Sequence, residues 1–348
     1  MASERTFTVG DDEANQRLDR FLRKLLDDVS LSAIYKLVRT RQITVNKRKT
    51  RPEHRLSVGD IITFHQAAQD RHLKPKLRER AEQGFSKRRD FRIVFEDAHI
   101  LVVNKPAGLL VHAGDRGDDR DTLIDQVTGY LVADSAAPDA GNLRDFVKPS
   151  PTFAPTLAHR IDRATSGLVL IGKTLAASQE LAALIKHRRV SKTYLALAFG
   201  GLPQRQGTID VPLERKQDAK GRRRKVETGA GQHAVTHYVV LAQRSHFSLV
   251  ELDLETGRTH QIRAHLAHVG APLVGDHEYG DRERNRHASE KLGLKRQFLH
   301  AARLQFVHPL TSQELDLAAP LWPDLMQALD REGFKRDDLP PWLPEAIS

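Results

Sequence analysis

The residues with the clearest potential for chemistry lie in one short segment, His159-Arg160-Ile161-Asp162-Arg163-Ala164-Thr165-Ser166-Gly167. Within it, Asp162 stands between Arg160 and Arg163. Two guanidinium groups keep a carboxylate ionised even where burial would raise its pKa. The same spacing also fits an ordinary Arg–Asp ion pair that holds a loop, which on spacing alone is the more common case.

The histidine, aspartate and serine of this segment also suggest the triad of a hydrolase. Ser166, however, does not stand in the G-x-S-x-G turn that exposes a nucleophilic serine. Residues so close in series rarely fold into a triad. The pattern therefore disfavours a hydrolase.

Composition excludes several other chemistries and indicates a polyanionic partner. The 348 residues include no cysteine, which removes disulfides, thiolate metal sites, iron–sulfur clusters and cysteine nucleophiles. The net charge is +10 and the pI is about 9.8. Such an excess favours phosphate binding, because neutralised phosphates release condensed counterions, although it also fits simple solubility.

The first part of the chain is charged throughout and lacks the apolar core of a signal peptide. No stretch of the sequence reaches the apolar length of a membrane span. We therefore expect a cytoplasmic protein without a membrane partner.

A small unit of helices and strands is predicted near the start of the chain. The first helix places apolar residues on one face, at Leu18, Phe21, Leu22, Leu25 and Leu26. Ser30 or Ser32 can cap a second helix. Short β runs follow around Ile43 and Val45 and from Ile61 to Phe64.

Basic residues gather on one end of the second helix and on the adjoining strand turn, with almost no acidic partners. They are Lys36, Arg39, Arg41, Lys47, Arg48, Lys49 and Arg51. A charge run is usually a solvated face, but this clustering is typical of a surface that follows phosphates. The segments RLDRFLRKL, IYKLVRTRQITVNKRK and VGDII resemble the S4 RNA-binding fold. We expect RNA contacts at Lys36, Arg39, Arg41, Lys47 and Arg48.

Four regions are predicted: an S4-like unit at 14–70, a basic linker at 71–92, a larger domain at 93–330 and a C-terminal tail at 331–348. In the larger domain, predicted strands outnumber helices and do not alternate regularly with them. We therefore expect an α+β fold with a mixed, mainly antiparallel sheet rather than a doubly wound one.

Two stretches of the larger domain carry little regular pattern. Residues 113–155 contain Gly, Asp and Pro clusters and are predicted to be rich in loops. Residues 214–232 form a basic, glycine-containing loop, either disordered or in contact with RNA. A helix from about 259 to 269 and a closing hairpin from 298 to 317 are more clearly indicated.

Four blocks, in order, are similar to the signatures of the RluA-type pseudouridine synthases. The segment HRIDRATSG matches the pattern H-R-L-D-x-x-T-S-G, with Ile161 for leucine as the only departure. The other blocks are Lys105-Pro106-Ala107-Gly108, Lys192-Thr193-Tyr194, and Thr256-Gly257-Arg258-Thr259-His260-Gln261-Ile262-Arg263. Phe298-Leu299-His300-Ala301 and His308-Pro309 match the closing hairpin. The likeness spans nearly the whole larger domain.

This resemblance implies the pseudouridine synthase fold and an isomerisation of uridine in RNA. The N1–C1′ glycosidic bond breaks, the uracil turns, and C5 joins C1′. An isomerisation needs no redox cofactor, group donor or metal, so none is expected. The resemblance places the catalytic carboxylate at Asp162, which attacks the sugar or takes a proton from it.

The resemblance also assigns the surroundings of this carboxylate. Arg263 pairs with the aspartate and holds it ionised, while Tyr194 and Ile262 form walls around a base that has left the stack. Arg160 enters the vacated space, and Lys105 is either structural or faces the RNA. The resulting assignment gives catalysis to Asp162, Arg263 and Tyr194, and RNA contact to Arg160, Ile262 and Lys105.

Three histidines on one predicted helix, His260, His265 and His268, could suggest a metal site. Only His265 and His268 have i,i+3 spacing, and no carboxylate completes a ligand set. We expect packing or solvent positions for these side chains and no metal.

Within the family, the S4-like module and the segment GDHEYGDRERNR are most similar to members that modify 23S RNA of the large ribosomal subunit. Specific uridines of this RNA or its precursor are the expected substrate, with no obligatory protein partner. The alternatives are a synthase with another rRNA or tRNA target, and a non-catalytic S4-type RNA-binding factor. A methyltransferase is disfavoured, because the chain has neither a cysteine nor a G-x-G-x-x-G loop.

Overall fold

The computed structural model describes residues 5–26, 29–65, 86, 88–113, 121–134, 154–217, 224–229 and 231–345. These residues divide into two compact units. The first unit takes the described residues up to Arg89 and the described parts of 124–156 and 173–178. The second unit takes the remaining described residues and contains the four sequence blocks.

The N-terminal elements form a small α/β arrangement. They are β1 (Arg5–Thr8), α1 (Leu18–Leu25), α2 (Leu31–Arg39), β2 (Ile43–Val45) and β3 (Ile61–Phe64). The three strands form an antiparallel sheet in the order β1-β3-β2. The two predicted helices and two predicted strands are confirmed. The first strand was not predicted, because a four-residue segment carries too little alternation and is defined by its pairing with β3.

The predicted apolar faces of the two helices are the core of this unit. Leu18, Phe21 and Leu22 on α1 are fully buried and pack with Ile34 and Val38 of α2. Of the two predicted caps, Ser30 is the one that begins α2, since its hydroxyl accepts a hydrogen bond from a backbone N–H of the first turn.

The remaining strands follow along the chain. They are β4 (Arg92–Glu96), β5 (Ile100–Lys105), β6 (Thr156–Leu157), β7 (Ser166–Gly172), β8 (Ser191–Phe199), β9 (Gln206–Asp210), β10 (Leu213–Gln217), β11 (Arg224–Thr228), β12 (Val235–Arg244), β13 (Phe247–Leu254), β14 (Leu299–Val307) and β15 (Glu314–Ala318). The remaining helices are α3 (Leu123–Asp134), α4 (Leu175–Lys186), α5 (Gln261–His268), α6 (Arg282–Leu292) and α7 (Pro323–Glu332).

A ten-stranded sheet dominates the second unit. Its main path runs β4-β5-β7-β14-β8-β13-β12-β9, with β15 paired to β14 and β6 paired to β7. Among the described strand pairs of this sheet whose residue register is defined, β7 with β14 is parallel, at Ser166–His300 and Gly167–Ala301, and the others are antiparallel. The predicted α+β fold with a mixed, mainly antiparallel sheet is confirmed.

Central strands of this sheet are buried on both faces. Every residue of β5 and β7 is buried, and so are Leu195 and Leu197 of β8. Helices α6 and α7 pack against β8 and β13 in one hydrophobic cluster. Phe334, Leu339 and Leu343, from the segment predicted as a C-terminal tail, belong to the same cluster.

Two stretches predicted to lack regular structure contain elements. Helix α3 lies within 113–155, and its buried Leu123, Val127 and Leu131 follow helical spacing that the adjacent Gly and Asp clusters obscure. Strands β10 and β11 pair antiparallel within the predicted basic loop at 214–232. Most of the predicted linker at 71–92 lies outside the described residues. None of the helices in the described part of the chain combines the length and apolar character of a bilayer span.

Candidate active site

A cavity of about 480 Å³ in the second unit collects the predicted site residues. Five of the six residues assigned to catalysis or RNA contact in this unit line it, namely Arg160, Asp162, Tyr194, Ile262 and Arg263. The sixth residue, Lys105, does not. The structure therefore brings three separate sequence blocks to one place.

The sheet and α5 position these side chains. Asp162 lies in the loop just before β7, where the backbone N–H of Thr165 donates to its carbonyl at 3.1 Å. Tyr194 is carried by β8, in register with Ala301 of β14. Arg263 lies in the first turn of α5, which begins directly after His260 in the left-handed conformation, with φ of 55°.

The Asp162 carboxylate is partly exposed to the cavity and faces the positive charge of Arg263. Its side chain is 24% exposed, and its Oδ2 accepts a hydrogen bond from Arg263 Nη1 at 3.3 Å. His260 Nε2 lies 3.9 Å from the same oxygen. In the described part of the chain, Oδ1 of this carboxylate accepts no hydrogen bond, so it is open to a ligand.

Arg263 is the most heavily paired cation in this cavity. Its Nε and Nη2 donate to the two carboxylate oxygens of Asp276 at 2.7 and 2.9 Å, and Nη2 also donates to Glu278 at 3.0 Å. Burial alone would lower the pKa of Arg263. The hydrogen bonds and charge of Asp276, together with Asp162 and Glu278, raise that pKa above its ordinary value. The guanidinium is therefore a permanent positive charge beside Asp162.

Tyr194 supplies a neutral hydroxyl to the same cavity. Its side chain is buried, and burial together with the negative charge of Asp162 raises the pKa of Tyr194 well above its ordinary value. The phenol therefore remains protonated at neutral pH. Ile262 and Leu299, both buried, complete an apolar wall on which a planar base could lie.

Besides Arg263, five lysine and arginine side chains line the cavity: Arg160, Lys186, Arg188, Lys192 and Arg258. All of these five except Lys192 are exposed. Arg160 is exposed, as expected of a side chain that enters an RNA helix. Arg188 is paired with Glu255 at 2.7 Å. The exposed cations suit the phosphates that flank a base in RNA.

Gln261 fixes the turn that leads into α5. Its amide nitrogen donates to the carbonyl of Val235 and to Thr236 Oγ1 at 2.9 and 3.0 Å. Its carbonyl accepts from Thr256 Oγ1 and from the backbone N–H of Arg258 at 2.8 and 2.9 Å. The buried amide is fully hydrogen-bonded, so it stabilises the backbone conformation at the start of α5, the helix that carries Arg263.

Lys105 is structural, and its alternative interpretation as an RNA-facing residue is wrong. The side chain is fully buried, and Nζ donates to the carbonyls of Pro106, Leu109 and Arg163 at 2.8, 2.9 and 3.3 Å. Burial lowers the pKa of Lys105 to about 7, and the charge of Arg296 acts in the same direction. The amine joins the 105–109 turn to the loop that carries Asp162.

Histidines and Ser166 do not form a hydrolase triad. His159 Nε2 accepts from a backbone N–H of β7, whereas Ser166 Oγ lies 2.9 Å from Nδ1 of the buried His300. His265 is buried between Thr236 and a backbone carbonyl, and the exposed His268 contacts a threonine hydroxyl. Among the described residues, no group of three or more His, Asp or Glu side chains could hold a metal ion.

The basic surface of the N-terminal unit lies where the sequence predicts it. Lys36 and Arg39 are on α2, Arg41 follows that helix, and Lys47 and Arg48 form the turn after β2. All five side chains are exposed, and none forms an ion pair with a described carboxylate. These five residues are called the S4 basic surface below. Two of them, Lys36 and Arg39, line a surface cavity of about 710 Å³ together with Tyr35.

The residues that hold Arg263 in place were not predicted from the sequence. Asp276 and Glu278, which hold Arg263, and Asn285, which holds the Asp276 backbone, belong to a segment noted only for its overall likeness. A buried acidic residue between Gly275 and a helix is a weak signal on its own, because its arginine partner lies 13 residues earlier.

Comparisons with known proteins agree with this geometry. Residues 99–268 match the family described as RNA pseudouridylate synthase, and residues 16–62 match the S4 domain. The chain is 34% identical over 325 residues to ribosomal large subunit pseudouridine synthase C of Escherichia coli, covering 92% of this chain and 94% of that protein. It is 32% identical over 323 residues to an uncharacterised RNA pseudouridine synthase of Bacillus subtilis, covering 93% of this chain and 96% of that protein.

A solved structure shows the same fold. Human RNA pseudouridylate synthase domain containing 4 superposes with a TM-score of 0.52 at 26% identity, over 69% of this chain and 92% of that one. The fold and the sequence blocks define an RNA-modifying isomerase with an S4 RNA-binding domain. The chain belongs to the RNA pseudouridylate synthase family and is an RNA pseudouridine synthase.

Proposed function

We propose that this enzyme converts specific uridines of 23S large-subunit ribosomal RNA, or of its precursor, to pseudouridine, with Asp162 as the catalytic carboxylate. One observation carries the proposal: a carboxylate with one oxygen open to the cavity, whose other oxygen is held by the permanent cation Arg263 at 3.3 Å. The hydrogen bond from Arg263 orients the carboxylate, and both proposed chemical roles use the oxygen that this bond leaves unoccupied.

The reaction needs only groups that the cavity contains. The N1–C1′ bond of uridine breaks, C5 bonds to C1′, and the proton that C5 loses is balanced by one that N1 gains. Asp162 begins this sequence either by attacking the sugar or by taking a proton from it. Because no atoms are gained or lost overall, the reaction requires no group donor and no net oxidant or reductant.

Base extrusion explains the shape of the cavity. A uracil inside a helix is inaccessible, so the nucleotide must leave the stack, at a cost of roughly a few kcal/mol. In our proposal, Tyr194 and Ile262 hold the extruded base between an aromatic and an aliphatic surface. The exposed Arg160 takes the space that the base leaves, where its planar cation can stack.

Two features support a ribosomal target. The relatives named for the large ribosomal subunit align over more than nine-tenths of this chain, so the likeness covers both the S4 domain and the synthase domain. The S4 basic surface offers five exposed cations to RNA phosphates. A synthase with the same S4 module that modifies another rRNA site (in this family, the D type), or one with a tRNA target, is the alternative. We also propose the cytoplasmic localisation and the domain limits that the sequence predicts.

Mapping of pseudouridines in cellular RNA tests the target. A strain without the gene is expected to lose pseudouridine at discrete positions of 23S rRNA while its methylated nucleotides and tRNA pseudouridines persist. A plasmid with the wild-type gene restores these positions, and one with Asp162→Asn does not. Loss of pseudouridine only from tRNA would show that tRNA, and not 23S rRNA, is the substrate. An unchanged map in all RNAs would refute the proposed function.

A further inference from the structure

The guanidinium of Arg263 is divided unequally between three carboxylates. Asp276 takes two of its N–H groups at 2.7 and 2.9 Å, Glu278 takes one at 3.0 Å, and Asp162 accepts a single bond at 3.3 Å. The Asp276 side chain is 0% exposed, while that of Glu278 is 37% exposed. The dominant partner of this arginine is therefore the buried carboxylate, not the one assigned to catalysis.

Asp276 is itself held rigidly by the chain around it. Its Oδ1 also accepts the backbone N–H groups of Glu278 and Tyr279 at 3.0 and 3.2 Å. The buried Asn285 on α6 donates to the Asp276 carbonyl at 2.8 Å and accepts from the Gly275 N–H at 2.8 Å. The short segment 275–280 is thus a bracket that leaves the carboxylate little freedom of orientation.

This bracket determines which way the guanidinium points. Binding through Nε and Nη2 fixes the plane of the group and directs the remaining nitrogen, Nη1, toward Asp162. A guanidinium free to rotate would instead chelate Asp162 with two parallel bonds, which are stronger than one. Such chelation would engage both oxygens of the catalytic carboxylate and leave neither for the sugar.

We propose that Asp276 is a positioning residue for the reaction: it holds Arg263 in a geometry that gives Asp162 one hydrogen bond and keeps the second oxygen available. This inference rests on the proposed role of Asp162. Burial would raise the pKa of Asp276, but the hydrogen bonds and charge of Arg263, with the two backbone N–H groups, lower it below its ordinary value. The Asp276 carboxylate is therefore ionised at neutral pH.

Asp276→Asn tests this role, because an amide accepts one of the two guanidinium bonds and presents an N–H₂ group to the other. We expect the single-turnover rate at saturating enzyme to fall by roughly 10²-fold, as a displacement of about 1 Å near the reacting atoms does, while the RNA concentration dependence changes less than about twofold. A purely structural ion pair would lower the melting temperature without this selective effect on the rate.

The matched control is Asp338→Asn. Asp338 accepts two bonds from Arg244, at 2.7 and 2.8 Å, and neither residue lines the cavity. The control is expected to keep the wild-type rate. If Asp276→Asn does not fold, Asn285→Ser tests the same role. This variant removes the side-chain amide that bonds to the backbone of Gly275 and Asp276, without changing any charge. It is expected to slow the single-turnover step with unchanged RNA affinity.

The outcomes separate this inference from the proposed function. The positioning role is overturned if Asp276→Asn folds and keeps the wild-type rate, or if it loses only RNA affinity. If Asp276→Asn does not fold, wild-type kinetics of Asn285→Ser overturn the positioning role. If Asp162→Asn is inactive while Asp276→Asn is not, only the positioning role fails. If Asp162→Asn retains activity, the proposed function fails first.

Discussion

Gly167 lies directly opposite Ala301 where β7 and β14 run parallel, and the two backbones approach so closely that no side chain fits between them. A Cβ atom on Gly167 would lie 2.2 Å from the carbonyl oxygen of Ala301, and its φ of 117° is a conformation that L residues rarely adopt. This contact anchors the strand that begins four residues after Asp162. The glycine of the block is therefore required by packing as well as by backbone conformation.

Gly167→Ala is expected to destabilise the protein by more than about 3 kcal/mol, because strain at such a φ costs roughly 1–3 kcal/mol and the backbone clash adds to it. Urea unfolding of the purified variant measures the change. Gly200→Ala is the matched control. Gly200 also has a positive φ, of 75°, but nothing lies within 4 Å of a Cβ placed there, so a loss of about 1–2 kcal/mol is expected. Equal losses for the two variants would show that the Ala301 contact is unimportant.

Much of this site could be predicted because its residues are close in sequence to strong local signals. The apolar runs of β5 and β7 and the face of α1 follow directly from hydrophobic periodicity. Asp162 and Arg263 lie in compact blocks whose likeness to a known family assigns their partnership, and the structure places them 3.3 Å apart.

Other features depend on contacts that no local pattern contains. The partnership of Asp276 with Arg263 is a tertiary one, as is the bond from Lys105 to the carbonyl of Arg163, 58 residues away. A lysine next to a turn reads as a surface cation until its burial is known. Strands β10 and β11 were missed because consecutive charged residues conceal a period of two, and because the strands are defined by their pairing with each other.

Buried histidines should make the enzyme sensitive to acid. His300 is fully buried between Ser166 and the carbonyl of Ala319, and burial lowers its pKa to about 3; His159 has a pKa lowered to about 3 for the same reason. In the unfolded chain a histidine titrates near 6.5. Between these values the unfolded state binds more protons, so the free energy of unfolding decreases as the pH falls from about 6.5 toward 3.

His300→Asn is expected to reduce this acid dependence by up to about 1.4 kcal/mol per pH unit, the effect of one proton, whatever its effect on stability at pH 7. The free energy of unfolding in urea, measured at several pH values between 4.5 and 7, gives the slope. His287→Asn, which changes an exposed histidine on α6, is expected to leave the slope unchanged. Parallel pH curves for the wild type and His300→Asn would contradict a neutral, buried His300.

The S4 basic surface should account for part of the salt dependence of RNA binding. Replacing Arg39, Arg41 and Lys47 together by glutamine is expected to weaken binding. It should also make the slope of log K against log salt shallower by about 2 to 3, since each lost phosphate contact removes roughly 0.7–0.9. Filter binding of an rRNA fragment at several salt concentrations measures both effects.

A control with the same loss of charge separates this surface from net charge. Arg20, Arg23 and Lys24 are exposed on α1 of the same unit. Their replacement by glutamine is expected to change the slope by less than half as much. If both triple variants shift the slope equally, net charge rather than the S4 basic surface governs binding.

The most direct measurement compares Asp162→Asn with the wild type in a single-turnover assay on 23S rRNA, with RNA affinity determined on the same preparations. Asparagine keeps the size of the side chain and removes the carboxylate. We predict that pseudouridine formation falls below detection while the dissociation constant for RNA changes less than about threefold, because the binding surfaces are intact. Pseudouridine formation by Asp162→Asn at the wild-type rate would contradict the assignment of this carboxylate to catalysis.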